Sequence, residues 1–202
     1  MRISEGAEAR IYSGQFLGSK VAVKERVSKA YRVKELDSAI IAQRTRSEAR
    51  IMVLALSAGA LVPNLMFVDG ASISMELVDG KTLNGLMDGM PAKKLNAVMG
   101  ELGRYLGLMH NVDISHGDYT PANALVSGNG VYVIDFGLAS ITKSVEDKAL
   151  DLLLMKRSVE PKAYTPFLSS YRRSSKAANA VVERLSEIEK RGRYQNRSLG
   201  DQ

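Results

Sequence analysis

The chain has no cysteine among its 202 residues, which excludes disulfides and thiolate metal sites and fits a reducing compartment. It also lacks any long hydrophobic run. The longest apolar stretch, Ile51 to Pro63, is interrupted by Ser57 and Gly59 and is too short to span a bilayer. The first residues, Met1-Arg2-Ile3-Ser4-Glu5-Gly6, contain no apolar signal region. A soluble, cytoplasmic protein with no membrane attachment is therefore expected. No internal repeat or low-complexity segment is present. What the chain does have is a 45% hydrophobic content, enough for one substantial core or for two lobes sharing a cleft. Its formal charge of +6 is uneven. From Lys156 to Arg197 there are 11 lysines and arginines against four acids. Such a carboxyl region suits a polyanion such as RNA or an acidic partner surface; a solvated helix face would look the same.

Along the chain, residues 9–14 and 19–24 read as short β-runs separated by glycine-containing turns. A helix is predicted from about Ser38 to Ser57, with Glu35 and Asp37 lying before it, and a hairpin at 65–70 and 73–77 around Gly70. Val78-Asp79-Gly80 is the predicted break, dividing a β-rich segment (1–77) from a mainly helical one (78–190) and a basic tail (191–202). In the second segment the pattern predicts a helix over 97–111, with His110 near its end, and strands over 124–126 and 131–134. Further helices are predicted over 145–158, from Pro166 onward, and over 176–190.

The chemistry concentrates in His116-Gly117-Asp118-Tyr119-Thr120-Pro121-Ala122-Asn123 and in Asp135-Phe136-Gly137. Phosphoryl transfer from a nucleotide needs a carboxylate facing the acceptor hydroxyl, and an Asn and a second Asp that hold Mg²⁺ on the phosphates. Asp118, Asn123 and Asp135 supply these parts in kinase order, as catalytic base and as two Mg²⁺ ligands. Lys24, ending the run Val21-Ala22-Val23-Lys24, is placed to pair with ATP phosphates, with Glu48 as its expected acid partner. The stretch from Ile3 through Ser4, Glu5, Gly6, Ala7, Glu8, Ala9 and Arg10 to Ile11 occupies the position of a phosphate-covering glycine loop. It offers one glycine only, and the acid Glu8 is unexpected beside phosphates. Met75, Glu76 and Leu77 would present backbone groups to adenine. His116 is read as bracing the loop, and His110 as a helix-end residue. Asp151 is either a buried brace for the catalytic loop or a surface acid. The expected class is α+β: a minimal bilobal protein-kinase-like fold with a small β-rich lobe, a mainly helical lobe and no activation segment.

Three departures narrow this reading. Gly117 stands where regulated protein kinases carry an arginine that reads a phosphorylated activation loop. Only eight residues separate Gly137 from Glu146, which leaves no room for an activation segment. Thr120 likewise replaces a lysine common near the γ-phosphate in Ser/Thr kinases.

Gly6-Ala7-Glu8-Ala9-Arg10-Ile11-Tyr12, Lys29-Ala30-Tyr31-Arg32, Leu36-Asp37 and Arg44-Thr45-Arg46-Ser47-Glu48-Ala49-Arg50 resemble the small atypical kinase of the KEOPS (EKC) complex. So do His116-Gly117-Asp118, Ile134-Asp135-Phe136-Gly137-Leu138, Glu146-Asp147-Lys148-Ala149-Leu150-Asp151 and Arg191-Gly192-Arg193. The resemblance implies a two-lobed fold that binds ATP and Mg²⁺ and acts as an ATPase or Ser/Thr kinase. It implies docking on a threonylcarbamoyltransferase subunit, alongside other KEOPS subunits, for modification of tRNA adenosine 37. A contribution of the basic carboxyl tail to tRNA handling or to partner control is implied by the same resemblance. Lys34 departs from the proline usual in that family, and the residues after Arg193 extend beyond many relatives. Two other readings share the motifs: a small-molecule phosphotransferase of the aminoglycoside or choline kinase type, and a non-catalytic nucleotide-sensing subunit.

Overall fold

The computed structural model describes residues 2–6 and 8–198. Five antiparallel strands form the first sheet: β1 (Arg2–Glu5), β2 (Ala9–Phe16), β3 (Ser19–Arg26), β4 (Leu65–Asp69) and β5 (Ser72–Glu76), in the order β1-β2-β3-β5-β4. The β2–β3 turn passes through Leu17 and Gly18, both at positive φ, as a tight two-residue hairpin requires. Helix α1 (Lys34–Ser57) packs on this sheet through Thr45, Glu48, Met52 and Ala55, spaced three or four apart on one buried face.

The helix begins at Lys34 rather than near Ser38, so Glu35 and Asp37 lie in its first turn, where acids meet the positive end of the helix dipole. Asp37 explains the earlier start. It is buried and accepts from Ser28 Oγ, the Lys29 N–H and Arg32, tying the preceding loop to the helix.

Gly80–Thr82 is a strand (β6) that pairs not with the first sheet but with β8 (Ala124–Ser127), itself paired with β9 (Gly130–Val133). The break expected at Val78-Asp79-Gly80 is thus a three-residue link, Leu77 to Asp79, because the glycine belongs to the next sheet. A short helix α2 (Leu83–Leu86) follows, then α3 (Ala92–Asn111), which starts five residues before the predicted Ala97. A two-stranded ladder joins β7 (Ile114–Ser115) to β10 (Ser140–Ile141). This ladder uses Ser140 and Ile141 of the eight residues after Gly137, and after three more residues the chain enters α4 (Val145–Ser158), capped by Ser144 Oγ accepting from the Asp147 N–H.

Helix α5 (Pro161–Ser174) opens on Pro161, not Pro166. Either proline could occupy a first turn. Tyr164, Phe167 and Tyr171 decide between them, since burying all three requires a helix that includes Pro166. Helix α6 (Ala178–Ser198) runs to the end of the described residues. The architecture is therefore a β-sheet lobe and a helical lobe with no activation segment between Gly137 and α4. One continuous apolar core runs from Ala49, Met52 and Ala55 through Leu102, Leu106 and Phe136 to Leu152, Phe167 and Leu185.

Candidate active site

Alternation along β3 puts Lys24 and Arg26 on the same face, and both are buried against α1. Lys24 Nζ donates to Glu48 Oε1 at 2.5 Å and to Asp135 Oδ1 at 2.7 Å. The other Glu48 oxygen accepts from the Arg26 guanidinium. Of the acids considered for Lys24, Glu48 is the one that pairs with it, while Asp37 is engaged by the loop before α1. Arg26 was not anticipated. The period-two rule that marks Lys24 as cleft-facing marks Arg26 equally.

The loop after β7 is held from below by one carboxylate. Asp151, fully buried in α4, accepts from Ser115 Oγ, from the backbone N–H groups of His116 and Gly117, each at 2.8 Å, and from His110 Nε2 at 3.2 Å. Of the two readings open for Asp151, the buried brace is the one the structure contains. Burial works against its charge, yet these donors outweigh burial and hold the carboxyl below its ordinary value.

His110 is more than a helix-end residue. Its Nδ1 pairs with the Tyr171 hydroxyl at 2.9 Å, completing a buried bridge from α3 to α4 and α5. His116 accepts from the Asp118 N–H at Nδ1 and donates from Nε2 to the Ile134 carbonyl, so its ring joins the Asp118 turn to the strand before Asp135. Burial lowers the pKa of both imidazoles and keeps them neutral.

At the top of this loop, Asn123 Nδ2 donates to the Asp118 carbonyl at 2.9 Å and to Asp118 Oδ2 at 2.8 Å. That geometry turns the amide oxygen of Asn123 away from Asp118. Asp135 sits at φ +61, a conformation that non-glycine residues seldom adopt. Its partner residue Phe136 is buried against the His116 ring, which fixes the turn and leaves the Asp135 carboxylate at the cleft surface. Burial acts to raise the Asp135 carboxyl, but Lys24 and the Gly137 N–H overcome it and lower the pKa.

Lys24, Glu48, Asn123 and Asp135 line one cavity of about 400 Å³ between the two lobes. Ile3, Ile11, Met75, Glu76 and Leu77 line it too. Among the described residues, Gly6, Glu8, Ala9, Arg10 and Asp118 are not among its walls; Ala7 and the side chains of Ser4 and Glu5 lie outside what the structure describes. Glu8 is directed elsewhere, standing 3.6 Å from Arg44 of α1. The Glu76 carboxylate is held by Asn64, and its N–H donates to the Asn64 carbonyl.

Sequence reasoning missed the apolar walls: Ala22, Met52 and Pro63 on one side, and Val78, Ala122, Leu125 and Ile134 on the other. Ala22 could have been found, since it precedes Lys24 by two on the same strand face. The long apolar walls and the charged end suit a flat ring carrying a polyanionic tail.

For a divalent cation, the cleft offers the Asp135 carboxylate and the Asn123 amide. Among the described residues no three His, Cys, Asp or Glu side chains converge. These oxygen donors fit Mg²⁺, which binds through one or two protein ligands and completes its shell with water and phosphate oxygens.

A family model described as the RIO domain matches residues 10–159. The chain belongs to the RIO-domain family. Within it, the chain is 37% identical to the KEOPS complex subunit Bud32 of Pyrococcus abyssi, with 97% of each chain covered. It is 36% identical to the EKC/KEOPS complex subunit bud32 of Dictyostelium discoideum, over 95% of this chain and 82% of that one. A Methanothermobacter thermautotrophicus protein named as a probable bifunctional tRNA threonylcarbamoyladenosine biosynthesis protein is 35% identical over 95% of this chain. The match covers only 36% of that protein. Among solved structures, WaaP in complex with acyl carrier protein superposes with a TM-score of 0.64 at 15% identity, covering 94% of this chain and 87% of WaaP. That likeness shows the fold alone. In this RIO-domain chain the family match ends just after α4, so α5 and α6 lie beyond it.

Proposed function

We propose that this RIO-domain chain is a Mg·ATP-dependent phosphotransferase or ATPase serving threonylcarbamoyladenosine formation at adenosine 37 of tRNA, within a KEOPS-type assembly. The observation that carries the catalytic part is the convergence in one cleft of the Lys24–Glu48 pair, Asp135, and Asn123 bound to Asp118. The names of the Bud32 relatives support the setting.

In this reading Lys24 holds the α- and β-phosphates from a rigid strand, and Glu48 keeps its ammonium aimed. Asp135 and the Asn123 amide oxygen would hold Mg²⁺, which when bound would supply neutralisation of the phosphate charge. The Asn123 amide nitrogen restrains the Asp118 carboxylate, which orients the attacking hydroxyl and takes its proton. As the new P–O bond forms, the bond to the β-phosphate oxygen breaks and ADP leaves. The adenine lies between the apolar walls, against Met75 and Leu77. The acceptor hydroxyl belongs to water or to a Ser or Thr side chain. The protein acts in the cytoplasm beside the threonylcarbamoyltransferase subunit, and its basic carboxyl region from Lys156 onward faces tRNA. Residues 1–77 and 78–190 act as the two lobes and 191–202 as a tail.

Asp118→Ala is expected to cut ATP turnover by roughly 10²–10⁴-fold while nucleotide still binds. Asp135→Ala is expected to abolish Mg·ATP turnover with circular dichroism unchanged. Steady-state phosphate release, measured alone and with the partner subunits and tRNA, checks both. Wild-type turnover in Asp135→Ala would reject the site, and turnover stimulated by an aminoglycoside or choline rather than by the assembly would reject the setting.

A further inference from the structure

Glu48 serves two cations, and only one of them reaches the nucleotide cleft. Lys24 and Arg26 point the same way from β3 and meet the Glu48 carboxylate, whose side chain is 2% exposed. Lys24 Nζ takes Oε1 at 2.5 Å, and the Arg26 guanidinium takes Oε2. The Arg26 side chain is 6% exposed and, among the described residues, is not one of those that line the cavity. Its backbone is fixed independently of that pairing. The Arg26 N–H donates to the Ala71 carbonyl at 2.9 Å, and the Val27 N–H donates to the Glu8 carbonyl at 3.0 Å. A Cβ built on Gly137 would lie 3.3 Å from Lys24 Nζ and 3.8 Å from Arg26 Nη2. The guanidinium therefore stands close behind the end of the cleft that holds Lys24 and Asp135.

The charges show why a second cation matters there. In the structure Lys24 and Arg26 are balanced by Glu48 and Asp135. In the reading of the cleft given above, Asp135 leaves Lys24 for the metal, and two cations then share the one carboxylate of Glu48. The surplus positive charge falls at Lys24, beside the phosphates. Without Arg26 both oxygens of a buried carboxylate would be open to a single ammonium, and a buried oxygen left unpaired is costly. Lys24 would be drawn onto both, its charge matched by Glu48 and its donors turned from the cleft.

We propose that Arg26 is a positioning residue for phosphate binding. By occupying Glu48 Oε2 it limits Glu48 to one contact with Lys24 and leaves the ammonium available to the α- and β-phosphates. This rests on the reading of the cleft as an ATP site, and it adds to the Lys24–Glu48 pair a third member that never meets the nucleotide.

The test compares adenosine with ADP, two probes that differ only in phosphate. Each is titrated calorimetrically, in Mg²⁺ buffer, into the full wild-type chain and into Arg26→Gln and Arg26→Lys. The first variant keeps a donor for Glu48 without the charge, and the second keeps the charge. ADP is expected to bind Arg26→Gln roughly tenfold more weakly, as loss of one charge-assisted contact implies, while adenosine binds as it does to the wild type. Arg26→Lys regains most of the ADP affinity. Equal weakening of adenosine and ADP would mean that Arg26 only holds the lobe together, and it overturns the proposal. So does an ADP affinity that Arg26→Gln leaves unchanged. Should Arg26→Gln fail to fold, ¹⁵N NMR of the wild-type Arg26 guanidinium with ADP bound decides. Slow rotation of the guanidinium is expected, because Glu48 is still held; fast rotation means that Arg26 has let it go, and the proposal fails. A wild-type chain that binds neither adenosine nor ADP instead refutes the reading of the cleft, and the role of Arg26 falls with it.

Discussion

Single residues here often serve two neighbours at once, and this is why some were readable in the sequence and others were not. Lys24, Asp118, Asn123 and Asp135 stand out in the sequence because kinase-type phosphoryl transfer uses those groups at those spacings. Arg26 shares Glu48 with Lys24, and sharing leaves no spacing signature. Gly117 was legible only as a missing arginine. Its φ is +79, and a Cβ there would stand 2.5 Å from the Leu138 carbonyl oxygen, so no side chain fits. Its N–H is also one of the donors to Asp151. Gly117→Ala is therefore expected to destabilise the chain by about 1–3 kcal/mol and to lower turnover, as urea unfolding and phosphate release would show. Wild-type stability in that variant would mean that the turn is built differently.

Among the elements, the longer ones were legible and the short ones were not. The hydrophobic period located α1, α3 and α4, but β6, β7 and β10 have only two or three residues each and exist because distant partners pair with them. The start of α5 was misplaced because the burial of Tyr164 is a tertiary fact. The α3–α5 contact rests on glycines. A Cβ on Gly103 would come 2.0 Å from the Phe167 carbonyl oxygen, and one on Gly107 would come 2.8 Å from Ser174 Cβ. Gly103→Ala must push the helices apart, at a cost of roughly 1–3 kcal/mol for overpacking. A lowered urea midpoint with an unchanged slope is the expected result. Helix α4 is fixed to α6 by Lys156 with Glu189 at 2.6 Å and by Glu146 with Arg184. These exposed pairs add little stability. Asp151 on the inner face of α4 adds far more, because its removal would strand four donors, three of them buried.

At the scale of the whole molecule, the buried imidazoles set the pH response. His110 and His116 are held below their ordinary pKa of 6.5 by burial, so the unfolded chain takes up protons there before the folded one does. Stability from this source is complete above pH 6.5 and is lost as pH falls through the lowered folded values. Asp151, also lowered, keeps its contribution above the ordinary carboxylate value of 3.8 and loses it only in stronger acid. Lys148, which donates to the His110 carbonyl and to Asp113, faces the same cluster and further disfavours a charged His110. The urea midpoint is expected to fall between pH 7 and pH 5, and less steeply in His110→Gln; a flat midpoint would contradict the burial of these rings. The two-lobed arrangement was legible in the sequence, whereas the continuity of its core was not, since Ala55, Ala60 and Val62 give no sign that they belong with Leu106 and Phe136.

The Val133 N–H donates at 2.8 Å to the Leu61 carbonyl, joining the stretch before β4 to the second lobe, while Leu77, Val78 and Asp79 are the only residues between β5 and β6. The cleft is thus riveted at its rear and pinned along one side. Opening about these two links would swing the tip carrying β1 and β2 farthest and leave Met75 to Val78 as the still point. A base seated at the pivot would keep its contacts through each stroke, while the phosphates, out toward the teeth, would be gripped and let go.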